Sequence, residues 1–361
     1  MELSKFLNSR FADGAVVEEL RRQFETADPF PWLVIEDFLS GNFVDQLIAD
    51  FPRSGPDYEK YCVGDDGKIG PNYANPNPQE FPPAFQLLDS LISSDAFVML
   101  LSKLTGIPGL EYDPDYFGGG IRESQGQVFL PPHIDFNHHP RTVSHRRLNL
   151  LVYLNEDWME EWGGAIQVHR DPRVHRTDSM VASFAPVLNR CFLFETSERS
   201  WHGFNRLVPP PGRSRRAFTV YYYTKDRPDA DAVSWHNTEY VEPPLPARFA
   251  AGYVLTGEDE ILLNEAIVRR DARIEMLYRI RAEADGKYAH VWKEYEYYLD
   301  LSRSQRNELD SLRAAAAPAG ENAQIGPPQA AQGSTPGRAM RAPMERAIPA
   351  RPIWRRWRGR E

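Results

Sequence analysis

Pro131-Pro132-His133-Ile134-Asp135 is followed by the run Arg147-Leu148-Asn149-Leu150-Leu151-Val152-Tyr153-Leu154-Asn155, and the two together set the reading of the chain. In an extended strand residues i and i+2 share a face, so His133 and Asp135 project together as an imidazole and a carboxylate. On either side of this pair, short apolar or alternating runs recur between turn signals. They cover 118–122, 147–154, 164–169, 179–184, 189–195 and 215–224, with Trp162-Gly163-Gly164 making a tight turn among them. Many short strands at such spacing argue for a double-sheet jelly roll or barrel.

Two further segments bear on chemistry. Ser200-Trp201-His202-Gly203-Phe204 brings a histidine at the end of the apolar strand Phe192-Leu193-Phe194, and Arg215 opens the strand Arg215-Arg216-Ala217-Phe218-Thr219-Val220-Tyr221. Two histidines and one carboxylate on one face of a metal leave the opposite positions open, the ligand type of non-haem Fe(II) oxygenases. A nearby arginine offers a planar fork suited to a carboxylate. The set points to iron, an oxo-acid cosubstrate and O2. His169 and His175 compete with His202 as third ligand, while His138, His139 and His145 are expected near a pocket mouth without ligating. Arg122 and Glu123 are read as facing substrate or as a solvated strand end.

Around this core the sequence divides into four parts. Residues 1–117 read as a helical support region with a short strand at Leu33-Val34-Ile35 and a helix from Phe43 to Phe51 capped by Ser40. Within it, 52–83 is rich in Pro, Gly, Asn and Asp and reads as a long loop, either a lid or a surface connection; a helix follows over 85–104. Residues 118–226 hold the jelly roll. Residues 227–313 read as a helical extension, helical from about Pro246, with Tyr288 to Leu301 as a second helix. Leu263, Ile267, Arg270, Ile274 and Leu277 follow a three-four spacing there, which makes the extension a cap on the core or a dimerisation arm. From 314 to 361 the composition turns to Ala, Pro, Gln and Arg and is expected to be disordered.

The 361 residues carry a net charge of −9 and are 42% hydrophobic, enough for one large core. The tail holds eight Arg against three Glu, so residues 1–313 carry −14 and are not a nucleic-acid binder by electrostatics. The tail's Trp354-Arg355-Arg356-Trp357 suits an acidic surface. Two cysteines, Cys62 and Cys191, exclude a disulfide framework and favour a reducing compartment. No apolar run of membrane-spanning length and no leader-like N-terminus is read, so the expectation is a cytoplasmic protein. Oligomeric state is left open.

The stretch from about Gly118 to Thr224 resembles the prolyl-4-hydroxylase-like branch of the 2-oxoglutarate and Fe(II)-dependent dioxygenases. The resemblance rests on His133-x-Asp135, Tyr153-Leu154-Asn155, Gly163-Gly164, His202 and Arg215-x-Ala217-x-Thr219-x-Tyr221. Pro29-Phe30-Pro31-Trp32-Leu33-Val34-Ile35 also looks like the opening of bacterial members. It implies an α+β fold with a double-stranded β-helix core, Fe(II) held by His133, Asp135 and His202, and 2-oxoglutarate held by Arg215 with Tyr153 and Asn149 beside it. Alignment through Ala217 and Thr219 favours Arg215 over Arg216. The implied reaction couples decarboxylation of 2-oxoglutarate by O2, giving succinate and CO2, to hydroxylation of an unactivated C–H bond, with ascorbate as a supporting reductant. A prolyl or other amino-acid side chain, free or in a peptide, and a small natural product remain open as substrates. The alternatives are a non-catalytic jelly-roll binding or sensor protein and a Zn or Mn site of the same barrel type.

Overall fold

Two antiparallel sheets face one another in the computed structural model, which describes residues 2–53, 58, 72–126, 128–228 and 233–316. The tail from 317 onward and most of the expected loop 52–83 lie outside the described residues. The larger sheet runs β1 (Trp32–Ile35), β9 (Cys191–Glu195), β6 (His145–Tyr153), β11 (Arg215–Thr224), β4 (Gly120–Ser124) and β2 (Asn72–Asn75), with β3 (Glu111–Tyr112) also paired to β11. The smaller sheet runs β12 (Glu239–Tyr240), β5 (Leu130–Ile134), β10 (His202–Phe204), β7 (Ile166–His169) and β8 (Met180–Phe184). Strands distant in sequence are neighbours in each sheet, which is the jelly-roll topology. β2 is a correction to the sequence reading: the stretch 52–83, read as a loop, contains a strand on the edge of the large sheet, where its lack of apolar alternation costs least.

Period-two alternation sorts the large sheet's side chains into two layers. Leu148, Leu150 and Val152 of β6, Cys191 and Leu193 of β9, and Phe218, Val220 and Tyr222 of β11 join the main core. That core is completed by α1 (Gly14–Thr26), α2 (Gly41–Ala49), α3 (Pro83–Ile92) and α4 (Asp95–Thr105). Tyr153, Phe192, Phe194 and Ala217 point the other way, into a smaller cluster with Ile166 and Val168 of the opposing sheet. The expected helix over 85–104 is two helices, because Ser93-Ser94 ends α3 and the Ser94 hydroxyl caps α4 through the Phe97 N–H. Ser40 does precede α2, but its hydroxyl donates to the Lys5 carbonyl instead of accepting from the helix.

No single helix among the described residues is long and apolar enough to cross a membrane. The bent pair α3–α4 is apolar because it is core: Phe85, Leu88, Leu91, Ile92 and Leu104 are fully buried. The chain divides into two compact units at Glu275/Met276, a boundary inside the long helix α5 (Gly257–Ala316). α5 is one helix where the sequence suggests two. In the first unit, its opening turns bury Ala266 and carry Arg269 and Arg273 onto Glu242. Ile267 and Ile274, part of the three-four stripe read as a cap on the core or a dimerisation arm, are about half exposed.

Candidate metal centre and anion pocket

β10 pairs with β5 so that His202 lies opposite His133 in register, and the two rings stand with centroids 4.2 Å apart. Asp135 follows directly on β5. Its Oδ1 is 3.8 Å from His133 Nε2 and its Oδ2 is 3.6 Å from His202 Nε2. One donor atom from each of the three residues fits within 4.8 Å of the others, all three buried. The opposite ring nitrogens are committed: His133 Nδ1 is 3.0 Å from the Pro131 carbonyl and His202 Nδ1 is 2.8 Å from the Ser200 carbonyl. Since a carbonyl only accepts, Nδ1–H donates and each Nε2 presents its lone pair to the centre, the arrangement that orients metal-binding imidazoles.

The charges suit a cation. Burial, then the neighbouring His133, pushes His202 down to about 3, and burial also lowers His133, so both imidazoles are neutral. Burial works to raise Asp135, but Arg146, His202, His133 and the Asn149 amide outweigh it and hold the carboxyl at about 2. Two neutral imidazoles and one carboxylate are the protonation states that metal binding requires.

Arg146 is the residue that sequence reasoning missed. It is fully buried, lies 3.5 Å from the Tyr221 ring centroid and 4.4 Å from that of Phe136, and sets Nη2 3.1 Å from Asp135 Oδ2. Strict alternation from Asn149 puts Arg147, not Arg146, on the inner face. The structure has a bulge there: Tyr222 pairs with Leu148 but Tyr223 with Arg146, so Arg147 is passed over and turns to Glu195. Asn149 donates to Asp135 Oδ2 at 2.8 Å and accepts from Arg146 Nε at 2.9 Å and from Thr196 at 3.2 Å. Asn149 thus stands against the metal-facing carboxylate, away from Arg215. Tyr240 of β12 stacks on His133 with centroids 5.1 Å apart, and the Arg273 guanidinium lies over the Tyr240 ring at 4.1 Å. It comes from a two-residue strand that leaves no periodic trace.

Arg215 closes the other end of a cavity of about 430 Å3 that also contains His133, Asp135 and His202, with Leu151, Ile166, Phe204 and Ala217 as apolar wall. The guanidinium is 7% exposed; its Nε donates to the Gly164 carbonyl at 2.8 Å and its Nη2 to the Tyr153 hydroxyl at 3.1 Å. Among the described residues no carboxylate pairs with it. Burying an uncompensated guanidinium is costly, which marks a place for an anion. Gly164 is required beside it: at φ +71° a Cβ would meet Leu207 at 2.5 Å and the Arg215 Cδ at 3.0 Å. Arg216, one residue on, faces the helices. It bonds Glu123 at 2.9 Å and covers Phe51, and it is not among the residues lining the cavity. Arg122 and Glu123 both line the cavity; Glu123 is committed to Arg216, Tyr58 and Ser214, and Arg122 donates to the Gly118 carbonyl.

The competing histidines go elsewhere. His169 points to the outer face of the small sheet, with Nδ1 3.0 Å from the Ser179 hydroxyl, and His175 is partly exposed near Asp178. Burial, then His133, holds His169 at about 4 against an ordinary 6.5. The unfolded chain therefore takes up a proton that the folded one excludes, so this stability is present above pH 6.5 and lost as pH falls toward 4. Wild type is expected to lose on the order of 2 kcal/mol more than His169→Gln between those pH values, read from urea unfolding at each pH. His139 sits 3.3 Å from both Asp113 and Asp115, which resembles a second metal cluster. Its Nδ1, however, accepts the Arg141 and Thr142 N–H groups at 3.2 Å, so Nε2 carries the proton and donates to the carboxylates. That is a structural hydrogen-bond network with no lone pair left for a metal. His138 and His145 meet with tilted rings, centroids 4.5 Å apart, outside the triad.

Residues 120–223 match the model of the 2OG-Fe(II) oxygenase superfamily. Over 266 residues the chain is 25% identical to a mouse protein, prolyl 3-hydroxylase OGFOD1, covering 67% of this chain and 43% of that one. The chain therefore spans less than half the length of this relative. Among solved structures it is similar to a prolyl hydroxylase from Trichoplax adhaerens in complex with a peptide fragment of hypoxia inducible factor. There the TM-score is 0.40 at 16% identity, over 60% of this chain and 96% of the other. It is also similar to a prolyl-4-hydroxylase from Pseudomonas putida (TM-score 0.38, 18% identity, 57% and 100% covered). HygX from Streptomyces hygroscopicus, with nickel, 2-oxoglutarate and hygromycin B bound, gives a TM-score of 0.39 at 15% identity, with 56% and 87% covered.

Proposed function

Residues 120–223 are a 2OG-Fe(II) oxygenase domain, and on that premise we propose that the protein hydroxylates an unactivated C–H bond with 2-oxoglutarate and O2, releasing succinate and CO2. The observation that carries the reading is one cavity with a buried triad of two neutral imidazoles and a carboxylate at one end and an unpaired buried guanidinium at the other. His133, Asp135 and His202 would hold Fe(II). Arg215, steadied by Tyr153, would take the distal carboxylate of 2-oxoglutarate, and ascorbate would serve as reductant. The metal and cosubstrate supply the oxidising power when bound. What this chain contributes is orientation and exclusion of water.

The residues divide that labour. The Pro131 and Ser200 carbonyls fix the two imidazoles. Arg146 and Asn149 keep Asp135 ionised and turned toward the centre. Leu151, Ile166, Phe204 and Ala217 keep the path to Arg215 apolar, which strengthens the charge pairing there. Arg146→Met is expected to weaken Fe(II) binding on the order of 10–100-fold, the usual cost of losing a partner of a metal ligand, and Arg146→Lys to recover part of it; anaerobic Fe(II) titration reads both.

Relatives named as prolyl hydroxylases support a peptide or amino-acid side chain as the substrate, with a small molecule as the other class. The test is succinate formation from 2-oxoglutarate. Turnover that requires Fe(II) and O2 and is stimulated by proline-containing peptides supports the reading. Metal-independent binding of 2-oxoglutarate with no succinate formed would move the protein to the non-catalytic class.

A further inference from the structure

The second unit begins at Met276, and among its described residues it is a single helix, the later part of α5, with no second layer of its own. That helix is not polar. Leu277, Tyr278, Tyr288, Val291, Trp292, Tyr295, Tyr298 and Leu301 are all exposed, Tyr288 at 75% and Tyr298 at 65%. Their order is regular. Leu277, Ala284, Val291 and Tyr298 recur every seven residues, as do Arg281, Tyr288 and Tyr295 three residues ahead of the last three. Apolar residues spaced at three and four, sustained over heptads, form the seam of a coiled coil. An isolated helix of this kind gains little stability from propensity alone and relies on packing of that face.

We propose that residues 277–302 of α5 pair antiparallel with the same segment of a second copy of this chain, around a twofold axis between Ala289 and His290. The pattern of side chains selects both the partner and the direction. Around that midpoint the positions match themselves: Tyr288 meets Val291, Ala284 meets Tyr295, and Leu277 meets Ser302, each pair setting large against small. Flanking the seam, Ile280 meets Leu301, and Tyr278 meets Leu299, which accounts for apolar residues that lie off a single helical stripe. Arg281 meets Tyr298, a guanidinium on an aromatic face. A parallel pair in register would instead bury Arg281 against its own copy, two like charges in the seam, and is disfavoured for that reason. Arg281 is already offset by Asp285 at 3.3 Å on its own helix.

The area suffices. Tyr278, Tyr288, Trp292, Tyr295 and Tyr298 are each more than half exposed, and such side chains bury about 150–250 Å2 apiece when covered. With about half of that area on each still to be covered, two copies reach roughly 1,000 Å2 from the aromatics alone, the size that a specific interface needs. A shallow hollow between Tyr295, Tyr298, Leu299 and Ser302 lies where this register delivers Leu277 and Tyr278 of the other copy.

The experiment uses the full chain. Sedimentation equilibrium at micromolar concentration is expected to give twice the monomer mass. Tyr288→Glu/Tyr295→Glu is expected to give the monomer mass with the helix content and 2-oxoglutarate binding of the jelly roll retained. Glu283→Lys, away from the seam, is expected to remain dimeric. Direction is read by spin labels on Gln305→Cys in a Cys62→Ser background, Cys191 being buried. The antiparallel register places the two labels about 45–50 Å apart at roughly 1.5 Å of rise per residue, whereas a parallel pair places them about 10 Å apart. A monomeric wild type, a dimer that survives the Tyr288→Glu/Tyr295→Glu change, or the short label distance would each overturn the proposal.

Discussion

His202→Ala is expected to abolish Fe(II)-dependent succinate formation, by roughly 10³-fold or more given that even the outer partners of a metal ligand cost 10–100-fold, while the metal-free protein melts within a few degrees of wild type. The asymmetry follows from the site. His202 faces His133 at 4.2 Å and Phe194 at 4.5 Å, inside a wall that Phe192 and Val168 already fill, so its loss removes a donor without opening the main core. His133→Ala and Asp135→Ala are expected to behave alike in turnover. His169→Ala is the control, because that ring points to the outer face of the small sheet. A variant pattern in which His169→Ala loses activity and His202→Ala keeps it would reassign the third ligand.

Arg215→Ala is expected to raise the KM for 2-oxoglutarate by on the order of 10²–10³-fold, as for truncation of one partner of a buried, hydrogen-bonded charge pair, with Fe(II) affinity unchanged. Arg216→Ala should do the reverse in kind: KM unchanged and stability reduced, since it leaves the 3%-exposed Glu123 carboxylate without its cation. The two neighbouring arginines therefore separate a pocket role from a packing role in one pair of assays. Equal effects of the two on KM would mean that Arg215 is not the anion-binding group.

Much of this architecture is legible in the residue order. β6, β9 and β11 are legible as short, mostly apolar runs between turn signals, with both faces buried, and once they are read as strands the two-residue spacing places Arg215, Ala217 and Thr219 on one face. His-x-Asp works for the same reason: a two-residue offset keeps both groups on one side whatever the rest of the fold does. Arg146 is illegible because a bulge at Arg147 shifts the parity, and a bulge is decided by pairing with β11 rather than by the strand's own composition. β2 is hidden because an edge strand of Asn-Tyr-Ala-Asn need not be apolar on two faces. Tyr240 reaches His133 from over a hundred residues away through a strand too short to leave a pattern. The apolar residues of α5 beyond Met276 are legible as a stripe, but whether a stripe faces its own core or a second molecule depends on tertiary packing that no local window contains.

The most direct test of the account is anaerobic addition of Fe(II) and then 2-oxoglutarate to the metal-free protein, following the weak visible charge-transfer band of a chelated oxo-acid. Wild type is expected to show a band that is absent in His202→Ala and that appears in Arg215→Ala only at far higher 2-oxoglutarate concentration. An iron-loaded wild-type protein that shows no band at any 2-oxoglutarate concentration would contradict it.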